Sequence, residues 1–251
     1  DTVTQQHGGY FYDDNRLKGF SLTHLSGAGC STYQDIPFMP FVGEVTTSPA
    51  ADPTRYVAKF NHANESVNPG HYGVTLDSGL SSQLGGYTDA QFRNDIKTLH
   101  ARGQKVIISV GGQNGTISVG DSTSANNFAN DVKGLIASYG FDGVDIDLEN
   151  GISAGPMGQA LHSIAAGGGS VITMAPQTID MQSTGAGYFQ LALNIKDVLT
   201  VVNMQYYNSG SMNGCDQGVY SQGTVNFLTA LACIQLQGGL RPDQVGLGLP
   251  A

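Results

Sequence analysis

Residues 78–251 predict an α/β fold of the (β/α)8 TIM-barrel type, incomplete, behind an all-β segment over residues 1–77. Three observations predict it. From residue 84 onward, helical and strand periods alternate along the chain. The strands of that region are short apolar runs of the kind that a buried parallel sheet uses. Before residue 78 no helical period lasts more than a turn.

The front segment reads as strands at 9–12, 19–25, 37–42, 56–61 and 71–76, separated by Gly, Pro, Asn and Asp. The alternation then begins with a helix. Thr88 and Gln91 form a capping box, Phe92, Ile96 and Leu99 follow at helical spacing, and Gly103 ends the run. The sequence VIISV at 106–110 is a buried strand, closed by Gly111 and Gly112. A second helix carries Phe128, Val132, Leu135, Ile136 and Tyr139 on one face and stops at Gly140. A strand follows at 143–148. Then come strand 170–176, helix 187–199, strand 201–207, helix 223–237 and strand 244–250. Strand starts at 106, 143, 170, 201 and 244 give a repeat of about 27–43 residues, which suits a (β/α)8 barrel. Five strands are found where a closed barrel has eight.

The chain has 251 residues, 35 of them Gly, and only 12% are charged, which suits a loop-rich secreted enzyme. A net charge of -9 argues against a nucleic-acid partner, because phosphate binding needs Lys and Arg. No apolar run approaches the roughly 20 residues of a membrane span. The chain starts Asp-Thr-Val without Met, which predicts a processed or cut form, and a monomer is expected. Cys215 lies in a Gly/Asn loop and Cys233 in a helical pattern, so a disulfide and two free thiols are both open readings. Cys30 is left over. His100 and His162 read as helix-surface residues, and none of the six histidines belongs to a metal-like cluster.

The sequence DGVDIDLE at 142–149 carries the chemistry. Alternate residues of a strand share a face, so Val144, Ile146 and Leu148 point toward covering helices and Asp145, Asp147 and Glu149 point into the barrel. Neighbouring carboxylates on that face are roughly 6–7 Å apart. Three acids on an inward face are unusual for a core. Their mutual repulsion is expected to raise the pKa of at least one. Glu149 lies nearest the C-terminal end of the strand, where barrel active sites form, and a carboxyl kept protonated there is a general acid. A calcium loop also alternates acids, but it needs Gly and turn residues where this run has Val, Ile and Leu.

The sequence DGVDIDLE at 142–149 resembles the signature of glycoside hydrolase family 18. SVGG at 109–112 resembles that family's motif at the end of the third barrel strand, and MQYYN at 204–208 its sixth-strand motif. The three occur in the family's order, over about residues 78–251, and are most similar to short, hevamine-like bacterial chitinases. The resemblance implies strands 3–7 of the barrel. It implies that Glu149 protonates the glycosidic oxygen and that the substrate's 2-acetamido oxygen is the nucleophile, one of the exceptions to two-carboxylate catalysis. Asp147 would orient the acetamido N–H and share a proton with Asp145, and Tyr207 would hydrogen-bond the acetamido oxygen. Gln205 and Asn208 would bind around the same sugar. Met174, Pro176 and Gln177 end the fifth strand, and two readings stay open for them, lining the cleft or capping the strand. The implied substrate is chitin or N-acetylglucosamine oligosaccharides, with no metal and no cofactor. For Ser109, Gly111 and Gly112 the residues alone leave two readings open, approach of a sugar or strand packing. Tyr206 is expected to pack outward.

The front segment is similar to a different family. GFSLTHLSGAGC at 19–30, DIPFMP at 35–40, NHANE at 61–65 and PGHYGVTL at 69–76 resemble the N-terminal β-sandwich of family 92 α-mannosidases. That resemblance implies calcium binding and catalytic carboxylates in a large C-terminal domain, so His24 and Glu65 read as sandwich residues. The join falls at 77–80. The family-18 part lacks its first two strands and its eighth, and the chain has no Trp to floor a cleft. An open sheet would expose two edges. Three readings stay open: a chitinase, a glycan-binding barrel fragment without activity, and a calcium-dependent α-mannosidase. Action on N-glycans by the same carboxylate strand stays open beside the first.

Overall fold

The computed structural model describes residues 86, 88–112 and 117–249, together with the backbone of six short strands in the first 76 residues. Those strands pair antiparallel: Tyr12–Asp13 with Arg16–Leu17, Phe20–Ser21 with Pro37–Phe38, and Ala58–Phe60 with Val74–Leu76. His24, Cys30, Glu65 and the expected join at 77–80 lie outside the described residues.

Helix α1, Asp89–Ala101, begins as expected. The Thr88 hydroxyl accepts from the Gln91 N–H, and the Gln91 side chain accepts from the Thr88 N–H. Its Phe92, Ile96 and Leu99 are buried. Strand β1 is Ile107–Gly112. Helix α2, Ser122–Tyr139, is capped by Asp121 and stopped by Gly140 at φ 82°. Strand β2 is Gly143–Leu148, β3 is Val171–Met174 and β4 is Val201–Gln205. Between β3 and β4 runs α4, Gly187–Asn194, shorter than expected. After β4 come the hairpin strands β5, Ser211–Asn213, and β6, Val219–Ser221. Then follow helix α5, Val225–Gln237, and strand β7, Val245–Gly248.

One helix has no counterpart in the sequence expectations. Helix α3, Ala154–Ala166, opens with Gly155, Pro156 and Gly158, which read as breakers. Pro156 sits in the first turn, where its missing N–H leaves no hydrogen bond unmade. The helix then buries Met157, Ala160, Leu161 and Ile164. Tertiary burial outweighs the weak local propensity. The hairpin β5–β6 was not foreseen either; the Cys215–Cys233 disulfide, with 5.8 Å between the Cα atoms, ties it to α5.

The sheet runs β7-β4-β3-β2-β1, all parallel, so each strand lies beside its neighbour in sequence within the barrel series. Val144, Ile146 and Leu148 are buried on the side that the helices cover, within one continuous apolar core. Gly143 marks how tightly β2 and β3 start together. A Cβ there would lie 1.7 Å from the Val171 carbonyl oxygen. Among the described residues, no helix is long and apolar enough to cross a membrane.

Asp131 on α2 is only 7% exposed, and no described residue gives it a hydrogen bond or ion pair. Burial pushes its carboxyl up to about 6. The folded state therefore holds this proton more tightly than the unfolded chain does. Stability is expected to fall as pH rises from about 4 to about 6 and then level off. Asp131→Asn should stabilise the chain relative to wild type above about pH 6 and not near pH 4. Urea midpoints at both pH values check this; an equal difference at the two would contradict it. A second expectation concerns the thiols. Alkylation of the unreduced, denatured chain should label Cys30 alone, and mass mapping that finds Cys215 or Cys233 labelled would refute the pairing.

Candidate active site

The site grows out of strand register. Asp145 on β2 pairs with Ser109 on β1 and with Thr173 on β3, and Thr173 pairs with Val201 on β4. Residues in register across parallel strands share a face. Ser109, Asp145, Asp147, Thr173 and Gln205 therefore lie together on the face opposite the helices.

The three acids form a gradient of exposure. Asp145 is fully buried, Asp147 is half-buried, and Glu149, just past the end of β2, is exposed. The Ser109 hydroxyl donates to Asp145 Oδ2 at 2.7 Å, and the Thr173 hydroxyl donates to Asp145 Oδ1 at 2.5 Å. Burial holds the Asp145 carboxyl above the ordinary carboxylate range, against the pull of the Thr173 and Ser109 donors. The expectation that one of these acids is raised is met at Asp145. The cause expected from the sequence was mutual repulsion, and it is corrected: loss of water around a 0% exposed group comes first.

Asp147 is held from β4. Gln205 Nε2 donates to Asp147 Oδ1 at 2.9 Å and to the Ala175 carbonyl at 2.8 Å. Gln177 bridges to Gln205 through the backbone, and its side-chain amide reaches Glu149 Oε2 at 3.4 Å. Tyr207, half-buried, and Asn208, exposed at φ 53°, follow Gln205 directly on the same end of the sheet. At the end of β2 and the start of α3, a separate cavity of about 240 Å³ is lined by Ser118, Val119, Leu148, Asn150, Ser153 and Met157 among others.

The expected site residues thus divide. Ser109 is bonded to Asp145, Gln205 to Asp147 and Gln177 to Glu149, and the last two pairs meet through the Gln177–Gln205 backbone bridge. Gly111 is explained by packing: it stands at φ 119°, and a Cβ would lie 2.2 Å from the Asp147 carbonyl oxygen. Gly112, at φ 82°, ends β1 beside Leu148. Met174, expected among the sugar-lining residues, is a correction. It pairs with Ile146, faces the helix side and is 0% exposed, so it belongs to the core. Tyr206 packs outward as expected, its ring edge-on to Phe227 and its hydroxyl accepting from Gln235.

Two functional positions escaped the sequence. Thr173 could have been found from register, since it lies opposite Asp145. Tyr188, on α4, had no local signal. Its hydroxyl accepts from the Leu148 N–H at 2.6 Å and donates to the Leu148 carbonyl at 2.9 Å. Burial, with the negative charge of Asp147, holds this phenol well above its ordinary range. Among the described residues, no three His, Cys, Asp or Glu side chains converge as metal ligands would.

Comparison with known proteins points to two families. The glycosyl hydrolase family 92 N-terminal domain matches residues 1–126. That span runs through α1, whose apolar face joins the core, and through β1, an edge strand of the parallel sheet. Chitinase Chi52 of Paenibacillus xylanexedens is 35% identical over 201 residues, covering 65% of this chain. This chain spans only 38% of that relative's length. Among solved structures, the Streptomyces coelicolor protein assigned as chitinase A superposes with a TM-score of 0.72. It is 51% identical, over 97% of this chain and 71% of that one. A family GH18 chitinase from Chromobacterium violaceum gives a TM-score of 0.59 at 29% identity, over 71% of this chain and 54% of that one. By these matches the chain belongs to glycoside hydrolase family 18, the family of its parallel sheet and carboxylate strand, and carries the family 92 N-terminal match over residues 1–126.

Proposed function

We propose that this chain hydrolyses β-1,4 linkages between N-acetylglucosamine units of chitin, with retention, using the substrate's acetamido group as nucleophile. One observation carries the reading: of the three acids on β2 and at its end, only Glu149 is exposed. A retaining enzyme with two carboxylates needs a second one that can reach the anomeric carbon, about 5–5.5 Å from the first. Asp145 is sealed, with both oxygens engaged by hydroxyls. Asp147 is engaged by Gln205. An internal nucleophile supplied by the sugar fits this arrangement.

The steps follow. Glu149 gives its proton to the glycosidic oxygen as the bond to the anomeric carbon breaks. The acetamido oxygen closes on that carbon to give an oxazolinium-like intermediate. Asp147 orients the acetamido N–H, Asp145 shares a proton with Asp147, and Tyr207 hydrogen-bonds the acetamido oxygen. The product sugar leaves, and Glu149 then takes a proton from the water that opens the intermediate. Gln205, Gln177 and Asn208 bind around the same sugar.

In this reading residues 1–77 are a β-sandwich-like segment and residues 78–251 the catalytic unit, secreted and monomeric. The family 92 match favours a second reading, a calcium-dependent α-mannosidase. The two separate by substrate: a β-chitobioside against an α-mannoside, each with and without chelator.

Fluorophore release from a β-chitobioside is expected, insensitive to chelator, and absent for the matching cellobioside, which lacks the acetamido group. Glu149→Gln should lower it by a factor on the order of 10²–10⁴ with an unchanged melt. Equal activity in the substituted protein would remove Glu149 from the mechanism. Gly111→Ala should push the Asp147 backbone away, costing about 1–3 kcal/mol of stability and lowering kcat more than the Tm shift accounts for. A variant with wild-type kcat would show that the close approach of β1 to Asp147 is immaterial to the chemistry.

A further inference from the structure

The β2–β3 ladder opens at one rung, and two side chains fill the opening. In a parallel pair each residue of one strand bonds two residues of its neighbour, spaced two apart. The Ala175 N–H donates to the Ile146 carbonyl at 2.9 Å. The next rung would run from the Leu148 N–H to the Ala175 carbonyl. Instead the Leu148 N–H donates to the Tyr188 hydroxyl, and the Ala175 carbonyl accepts from the Gln205 side chain. The Gln205 half of this arrangement also holds Asp147. The Tyr188 half has no such evident purpose, because a simple ladder rung would satisfy the Leu148 N–H equally well.

The purpose lies in which groups Tyr188 holds. The Leu148 N–H belongs to the peptide joining Asp147 to Leu148. The Leu148 carbonyl belongs to the peptide joining Leu148 to Glu149. One buried hydroxyl, 2.6 Å from the first and 2.9 Å from the second, fixes both peptide planes between the two acids. The hydroxyl itself lies on a ring that is 2% exposed, at the start of a helix packed against α3. Glu149 is exposed and leaves the strand at this point, so its own side chain has little to hold it. Its backbone is the part that the fold can fix.

We infer that Tyr188 is a positioning residue that sets the direction in which Glu149 leaves the sheet relative to Asp147. The inference rests on the reading of Glu149 as general acid for the proposed reaction. A displaced reacting group can cost on the order of 10²-fold in rate. Tyr188 touches no substrate atom in this scheme and acts only through the two peptides.

The test compares the full chain with Tyr188→Phe, which keeps the ring and removes the hydroxyl. Two measurements are made: chitobioside kinetics, and amide hydrogen exchange of Leu148 and Glu149 against Ile108 on β1 and Ile172 on β3. The expected result is a kcat lower by roughly 10- to 100-fold, with KM within about twofold. Exchange at Leu148 and Glu149 should be faster by about tenfold or more, with Ile108 and Ile172 unchanged. Wild-type kcat, unchanged exchange at Leu148, or a uniform acceleration at all four amides would overturn the inference, the last by making Tyr188 merely structural. If wild type itself releases no fluorophore, the proposed function fails, and exchange decides the positioning role alone. Selective acceleration at Leu148 and Glu149 then supports it, and equal rates overturn it.

Discussion

Asp145 has no water to solvate it, and both of its oxygens are met by hydroxyls from the strands on either side. A carboxyl group buried without partners would cost several kcal/mol, whether ionised or not. Here Ser109 and Thr173 must both arrive at the level of Asp145, and that fixes the register of three strands at once. A slip of one residue would put Val110 or Ile108 where Ser109 stands and turn the acids into the helix-side core. Gly143 and Gly111 reinforce the same register sterically. At the first, β2 comes so close to Val171 that no Cβ fits; at the second, β1 lies as close to the Asp147 carbonyl.

From that anchor the remaining acids take their environments. Each step of two residues along β2 moves about 6–7 Å toward the open end of the sheet. Asp145 is sealed, Asp147 is half-exposed and tethered by Gln205, and Glu149 meets solvent. Three residues of similar chemistry thus acquire different work through depth alone. Burial holds the deep carboxyl above the ordinary carboxylate range, while the shallow one stays in contact with solvent. The helices lie against the other face of β2. They set the depth by covering Val144, Ile146 and Leu148 on the reverse face.

Much of this was legible in the residues. The period-2 alternation in DGVDIDLE assigned the faces of β2 correctly, and the five strands, the capping box of α1 and the Gly140 stop of α2 follow from apolar period, Thr88 with Gln91, and Gly. What was not legible is long-range. The Tyr188 contact joins residues 40 apart, and nothing around Tyr188 marks it as different from any core aromatic. Helix α3 was hidden because Gly155, Pro156 and Gly158 read as loop, while the burial that stabilises it comes from other helices. Met174 was misassigned because a motif at a strand end looks uniform in sequence. Alternation sends Thr173 toward Asp145 and Met174 away from it, and only the register with β2 says which is which. The family 92 match and the parallel sheet share α1 and β1, so a match along the sequence and a unit of packing do not end at the same residue here.

The acid constellation is built entirely from neighbours. Ser109 comes from β1, Asp145 and Asp147 from β2, Thr173 and Ala175 from β3 and its end, and Gln205 from β4. These four strands are consecutive in the sheet, and β2 and β3, which carry the centre of the network, are both flanked by paired strands. The outer edges of the described sheet, on β1 and β7, take no part in it. The contacts that set Asp145 and Asp147 at their different depths are therefore a property of four adjacent strands.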